Sequence, residues 1–133
     1  MKTLLFYLSL LLFVNITFSQ TPTDNGPSIV FDELNHDYGV IDSASNGVHI
    51  FKFKNEGTQD LIISEVKSSC GCTVPEWTNI PIVPGQTGSI KVSYNTTKIG
   101  PINKSILVIT NAKNEENGVV NLRIKGEVIR KKN

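Results

Sequence analysis

The feature that most limits what this chain can become is a two-residue rhythm near its C-terminal end. Val120, Leu122, Ile124 and Val128 alternate with Asn121, Arg123, Lys125 and Glu127. Successive side chains of a β-strand point to opposite faces, so a segment of this kind has one face in a core and one in water. The same period recurs in Ile90, Val92 and Tyr94 against Lys91, Ser93 and Asn95, and in Phe51 and Phe53 against Lys52 and Lys54. Residues 61–66 and 105–110 are apolar nearly throughout, which predicts central strands buried on both faces. Residues 29–31, together with 38–41, predict a first, broken edge strand. No window carries a long helical period.

Gly, Pro, Asn and Asp clusters separate these runs. Pro84-Gly85 suits the two central positions of a type II turn, Gly57 and Gly118 can take positive φ after polar residues, and Gly100-Pro101 predicts a further break. About seven short strands in roughly a hundred residues define an all-β, immunoglobulin-like sandwich over residues 29–129. The disulfide that joins distant strands in antibody domains has no counterpart here, so only the architecture carries over.

The N-terminus reads as a processing signal. Lys2 precedes an apolar run over residues 4–14 that is interrupted only by Ser9 and is too short to span a bilayer. Thr17 and Ser19 provide small residues at signal-peptidase spacing, which predicts cleavage after Ser19 and a signal peptide over residues 1–19. Residues 20–28, with Pro22, Gly26 and Pro27, form a polar leader, and residues 130–133 a solvated basic tail. No cysteine precedes Cys70, so no lipid anchor is expected, and the apolar run is too short for a transmembrane anchor, so the expected product is periplasmic or secreted. Cleavage there leaves 114 of 133 residues and removes only the charge of Lys2, so 12 basic residues face 12 acidic ones. That balance gives no general reason to expect a nucleic-acid partner.

Beyond the fold, Phe51-Lys52-Phe53-Lys54-Asn55-Glu56-Gly57, Leu61-Ile62-Ile63, Ser69-Cys70-Gly71-Cys72-Thr73 with Pro75 and Trp77, Pro84-Gly85 and Thr110-Asn111 follow one another in order. In this order they resemble a bacterial family of exported Ig-like domains, the domain of unknown function 1573, common in the Bacteroidetes and similar to Hydin-type Ig-like domains. The resemblance covers roughly residues 29–129. It implies the sandwich fold and brings no agreed activity or cofactor. Many relatives carry a lipoprotein signal, from which this chain departs.

Cys70-Gly71-Cys72 is the one candidate for chemistry. On a regular strand the two Cα atoms would lie about 6.6 Å apart, the outer limit for a disulfide, and Gly71 permits the tighter bend that closure needs. Loop entropy for so small a ring contributes only about 1.6 kcal/mol, against strain that can reach several kcal/mol. The bridge is therefore a poor staple, which leaves four roles open: a local loop lock, a redox-active dithiol, a soft-metal site for Cu(I) or Zn, and exchange with another protein.

Only His36 and His49 could add imidazole ligands. His49 shares the face of Phe51 and Phe53 and reads as a core-edge residue. His36 reads as part of a turn in which Asp37 bonds backbone. No third group or oxyanion loop supports a Cys-His nucleophile, and no phosphate-binding glycine motif is present. Trp77 is expected to cap the sandwich with its N–H bonded locally. Asn95-Thr96-Thr97 and Asn103-Lys104-Ser105 match the glycosylation sequon but read as turn residues. Lys52, Lys54, Lys91, Arg123 and Lys125 all point outward from strands, so a positive sheet face is possible for an anionic envelope polymer. The expected function is a non-enzymatic exported module, without cofactor, that binds or scaffolds an envelope protein or polymer. The alternative is a thiol redox or soft-metal-handling protein using Cys70 and Cys72.

Overall fold

The computed structural model describes residues 25–69 and 73–133, so the signal segment and the Cys70-Gly71-Cys72 tripeptide lie outside the described residues. Eight strands run in chain order: β1 Ile29–Phe31, β2 Asn35–Asp42, β3 Val48–Asn55, β4 Ile63–Ser68, β5 Thr73–Trp77, β6 Thr87–Tyr94, β7 Gly100–Thr110 and β8 Val119–Ile129. They form two four-stranded sheets, β1-β3-β6-β5 and β2-β8-β7-β4. The alternating segments behave as their period requires. Phe51, Ile90, Val92, Leu122, Ile124 and Val128 are all within 1% of complete burial, while Lys52, Asn121, Arg123 and Lys125 face water.

The sandwich has two lateral margins. β1 and β2 are the edge strands of one margin, and β4 and β5, which touch each other, form the opposite one. The chain crosses the first margin through residues 32–34. Asp32 N–H donates to Lys52 O of β3 in the first sheet (3.0 Å), and Leu34 O accepts from Arg123 N–H of β8 in the second (2.9 Å). The expected single broken edge strand is therefore two strands in different sheets, with β1 antiparallel to β3 and β2 parallel to β8.

Other departures have physical causes. Residues 61–66 do not form a central strand: Leu61 bridges to Ile82, the register of β4 shifts between Ile63 and Glu65, and β4 ends the second sheet with Ile62 exposed. β5 is a strand outside the expected set; it contains Pro75, whose missing N–H an edge strand tolerates. Gly100-Pro101 is not a break; both residues open β7, and β4 pairs with β7 only from Ile106 onward, so Pro101 has a neighbour on one side alone.

The turn chemistry divides in the same way. Gly85 has φ 83°, and Gln86 N–H donates to Val83 O at 3.0 Å, which closes the turn around Pro84-Gly85. Gly57 does not take positive φ. It is required for close approach instead, because a Cβ there would lie 2.1 Å from Gly26 O and 2.5 Å from Ser28 N.

Beside Gly57, Asn55 is fully buried and its amide is saturated. It donates to Gln59 O and Ile82 O (both 2.8 Å) and accepts from Gly57 N–H (2.9 Å) and Ser28 N–H (3.3 Å). One side chain thus ties the end of β3 to the leader and to the loop before β6. The outward bases divide as well. Lys52, Lys54 and Lys91 lie on the first sheet and Arg123 and Lys125 on the second, so they form no single positive face.

Candidate functional site

At the β1/β2 margin three side chains with metal-ligating or acid–base capacity converge. His36 lies on β2 opposite Ile124, and His49 lies on β3 opposite Val92. Both partners are fully buried, so both imidazoles face the space between the sheets. Their rings stack with centroids 3.5 Å apart and planes 8° from parallel. The edge of Phe51 meets the His49 ring at 4.7 Å, and Tyr38 meets the His36 ring at 4.6 Å, each near perpendicular. Glu33, on the crossing loop, places Oε1 2.5 Å from His49 Nε2. The His49 side chain is 18% exposed and that of Glu33 44%, so the cluster opens to solvent on the carboxylate side.

Burial holds the His36 imidazole below its ordinary value, with a further contribution from the neighbouring His49; Glu33 and Asp37 act in the opposite direction. The neutral form, the one that ligates metals, is thereby favoured. Tyr38 donates its hydroxyl to Gly47 O at 2.7 Å, and burial pushes that phenol up to about 12. It serves as a tie between β2 and the segment before β3.

The two histidines fare differently against expectation. His49 is the core-edge residue its alternation with Phe51 implies. His36 is not in a turn but inside β2, although Asp37 does accept a backbone N–H, from Gly39 at 2.8 Å. His36 and Tyr38 flank Asp37 at strand period, a signal that the turn-forming Asn, Asp and Gly nearby obscured.

The opposite margin carries the flanks of the tripeptide. Ser69 N–H donates to Ser105 O (3.0 Å), Ser105 N–H donates to Ser69 Oγ (3.2 Å), and Ser68 Oγ donates to Thr73 O (2.9 Å). The described flanks on either side of the tripeptide are thus bonded to each other and to β7. A groove of about 420 Å³, lined by Lys67, Ser68, Ser69, Ser105, Leu107 and Asn121, adjoins this passage. Thr73 Oγ1 and Trp77 Nε1 are buried without a partner among the described residues, so the local bond expected for the indole N–H is not found there. Trp77 does pack against the core. Between His36 on β2 and Ser68 on β4 lie β8 and β7, three strand spacings or about 14 Å. The described residues bring the two histidines to each other and place the flanks of the cysteines on the far margin.

These features define a two-sheet, Ig-like β-sandwich domain. The chain belongs to the family described as Protein of unknown function (DUF1573), whose model matches residues 29–128, from the start of β1 to the penultimate residue of β8. Comparison with curated proteins finds no match. Among solved structures, a protein of unknown function from Porphyromonas gingivalis W83 superposes with a TM-score of 0.68 at 14% identity, over 84% of this chain and 51% of that one. The chain therefore spans about half the length of that relative. The PapD-like domain 7 of human CEP192 gives 0.64 at 8% identity, over 79% and 87% of the two chains. The CsuC-CsuE chaperone–tip adhesion subunit complex of Acinetobacter baumannii gives 0.58 at 8% identity, over 76% and 57%. At such identities the likeness concerns the fold alone. No helix among the described residues is long and apolar enough to cross a membrane.

Proposed function

We propose that this domain is a non-enzymatic exported module that receives an extended segment of an envelope protein along the open edge of β2. One observation carries the reading. Of the four edge strands, β2 is the longest at eight residues, and it contains neither lysine nor proline. Edge strands present unpaired backbone groups to a partner strand, and natural proteins blunt the edges they do not use. β1 has three residues, β5 contains Pro75, and β4 carries Glu65 and Lys67 within its six residues; β4 and β2 each shift register once against their neighbour, β2 between Asp37 and Val40. On β2, Val40 is 66% exposed. Likeness to a chaperone–adhesion subunit complex and to the periplasmic chaperone SfaE supports a protein partner, and the apolar N-terminal run supports export.

A photo-crosslinking residue placed at Val40 in the native cell should yield a discrete adduct with an envelope protein, and the same residue at Lys52 on the outer face should not. Equal labelling at both positions, or none at Val40, overturns the reading. The second reading, thiol redox or soft-metal chemistry at Cys70 and Cys72, is favoured by the poor stapling value of so small a ring. Intact-mass measurement on protein isolated without reductant separates it: two freely alkylated thiols and no bound metal remove it.

A further inference from the structure

We propose that Glu33, His36 and His49 form a binding site for a divalent transition-metal ion of the zinc class, with a fourth position open to solvent. This site is independent of the edge of β2 as a docking strand and of the cysteines. One ligand atom from each of the three residues lies within 4.8 Å of the other two. Tetrahedral zinc with bonds of about 2.1 Å holds its ligand atoms about 3.4 Å apart, so closure requires side-chain movements on the order of 1 Å. Two imidazoles and a carboxylate suit zinc and its transition-metal neighbours and do not suit calcium or magnesium, which take oxygen ligands.

The frame behind the ligands is already fixed. β2 and β3 belong to opposed sheets, and the loop bearing Glu33 is hydrogen-bonded to β3 on one side and β8 on the other. Phe51 and Tyr38 close the inner side, while the exposed Glu33 leaves an entrance. The Tyr38 hydroxyl is engaged by Gly47 and is not a ligand. Parallel stacking sets the imidazole nitrogens side by side but points neither lone pair at a common centre, so binding turns the rings out of parallel. In the structure Glu33 Oε1 and His49 Nε2 share a short hydrogen bond. A metal ion takes the place of that hydrogen bond while the imidazole carries its N–H on the other ring nitrogen, and no bond to carbon and no electron transfer is involved.

Calorimetric titration of zinc into the chelator-treated mature protein tests the site, run in parallel on the native chain and on Cys70→Ser/Cys72→Ser. The expected result is one-to-one binding in both. Magnesium should give no heat. His36→Ala and His49→Ala should each weaken zinc binding at least tenfold, and Glu33→Gln should weaken it less. X-ray absorption at the zinc edge of the cysteine-free protein should report two imidazoles and no sulfur. That readout needs no histidine variant to fold. Loss of binding in the cysteine-free protein, a spectrum without imidazole, or undiminished affinity in His36→Ala/His49→Ala overturns the proposal.

Discussion

Replacing Asn55 by alanine should be among the most damaging single changes this domain can suffer without touching an apolar residue. The side chain is completely buried and makes four hydrogen bonds, all to backbone. Alanine removes one partner of each bond and leaves two carbonyls and two N–H groups behind. The Ile82 carbonyl contact is fully buried, and an orphaned buried group costs about 1–3 kcal/mol. The other three contacts are partly buried, so water can replace the amide and each loss is closer to about 1 kcal/mol. The total is at least about 4 kcal/mol, a large share of the roughly 5–15 kcal/mol that holds a domain folded. At a urea m-value of about 2 kcal/mol/M the midpoint should fall by about 2 M, and the melting temperature should drop by roughly 15–30 °C. Trp77, the only tryptophan of the chain, provides the fluorescence signal. Asn55→Asp tests the mechanism further. It keeps the two acceptor bonds but sets an ionised carboxylate against the carbonyls of Gln59 and Ile82. Its penalty should be at least as large at neutral pH and should shrink on acidification, as the buried carboxyl takes up a proton. A loss below about 1 kcal/mol for Asn55→Ala would show that the hydrogen-bond accounting is wrong.

Gly57→Ala drives a Cβ into the backbone of Gly26 and Ser28, and should cost about 1–3 kcal/mol in the same urea assay; an unchanged midpoint would mean that the leader is not held there. Cys70→Ser/Cys72→Ser should lower stability by no more than about 1.6 kcal/mol, the full entropic worth of so small a ring, and a larger loss by urea unfolding would restore a structural role to the pair. In metal-free protein, His36 binds its proton less readily when folded than when unfolded, facing His49, Glu33 and Asp37. The unfolded chain then holds more protons below about pH 6.5, so stability is full above that value and falls as the pH drops toward the depressed folded value, by at most about 1.4 kcal/mol per pH unit. His36→Phe should flatten that segment of the stability–pH curve, and an unaltered slope would assign it to other groups.

Much of the fold is legible wherever a strand has one wet and one dry face. Ile90, Val92 and Tyr94 in β6 and Val120 through Val128 in β8 announce themselves because water on one side forces polar residues into every second place. Legibility fails where an edge changes the rule. Leu61 and Ile63 look like one continuous buried strand, but Leu61 bridges to Ile82 and leaves Ile62 exposed between them. β5 hides behind Pro75, which only an edge strand accommodates. Gly57 announces a special backbone position correctly, yet a sequence does not distinguish a positive φ from a close approach, since glycine answers both.

The two candidate sites differ in the same respect. Cys70-Gly71-Cys72 is contiguous, so it draws attention without any knowledge of the fold. Glu33, His36 and His49 become neighbours only because residues 32–34 carry the chain from one sheet to the other, which sets β2 across from β3 rather than beside β1. Had β1 and β2 formed one edge strand, as their sequence suggests, His36 and His49 would have had no reason to face each other across the core. The site is thus a product of topology, and its parts are uninformative singly: a histidine beside Phe51, a histidine beside Asp37 and an acid in a loop. Sheet assignment is the piece of information that joins them. It also separates them from the cysteines, because the same crossing that brings β2 opposite β3 leaves the flanks of the tripeptide on the β4/β5 margin, with two strands of the second sheet between.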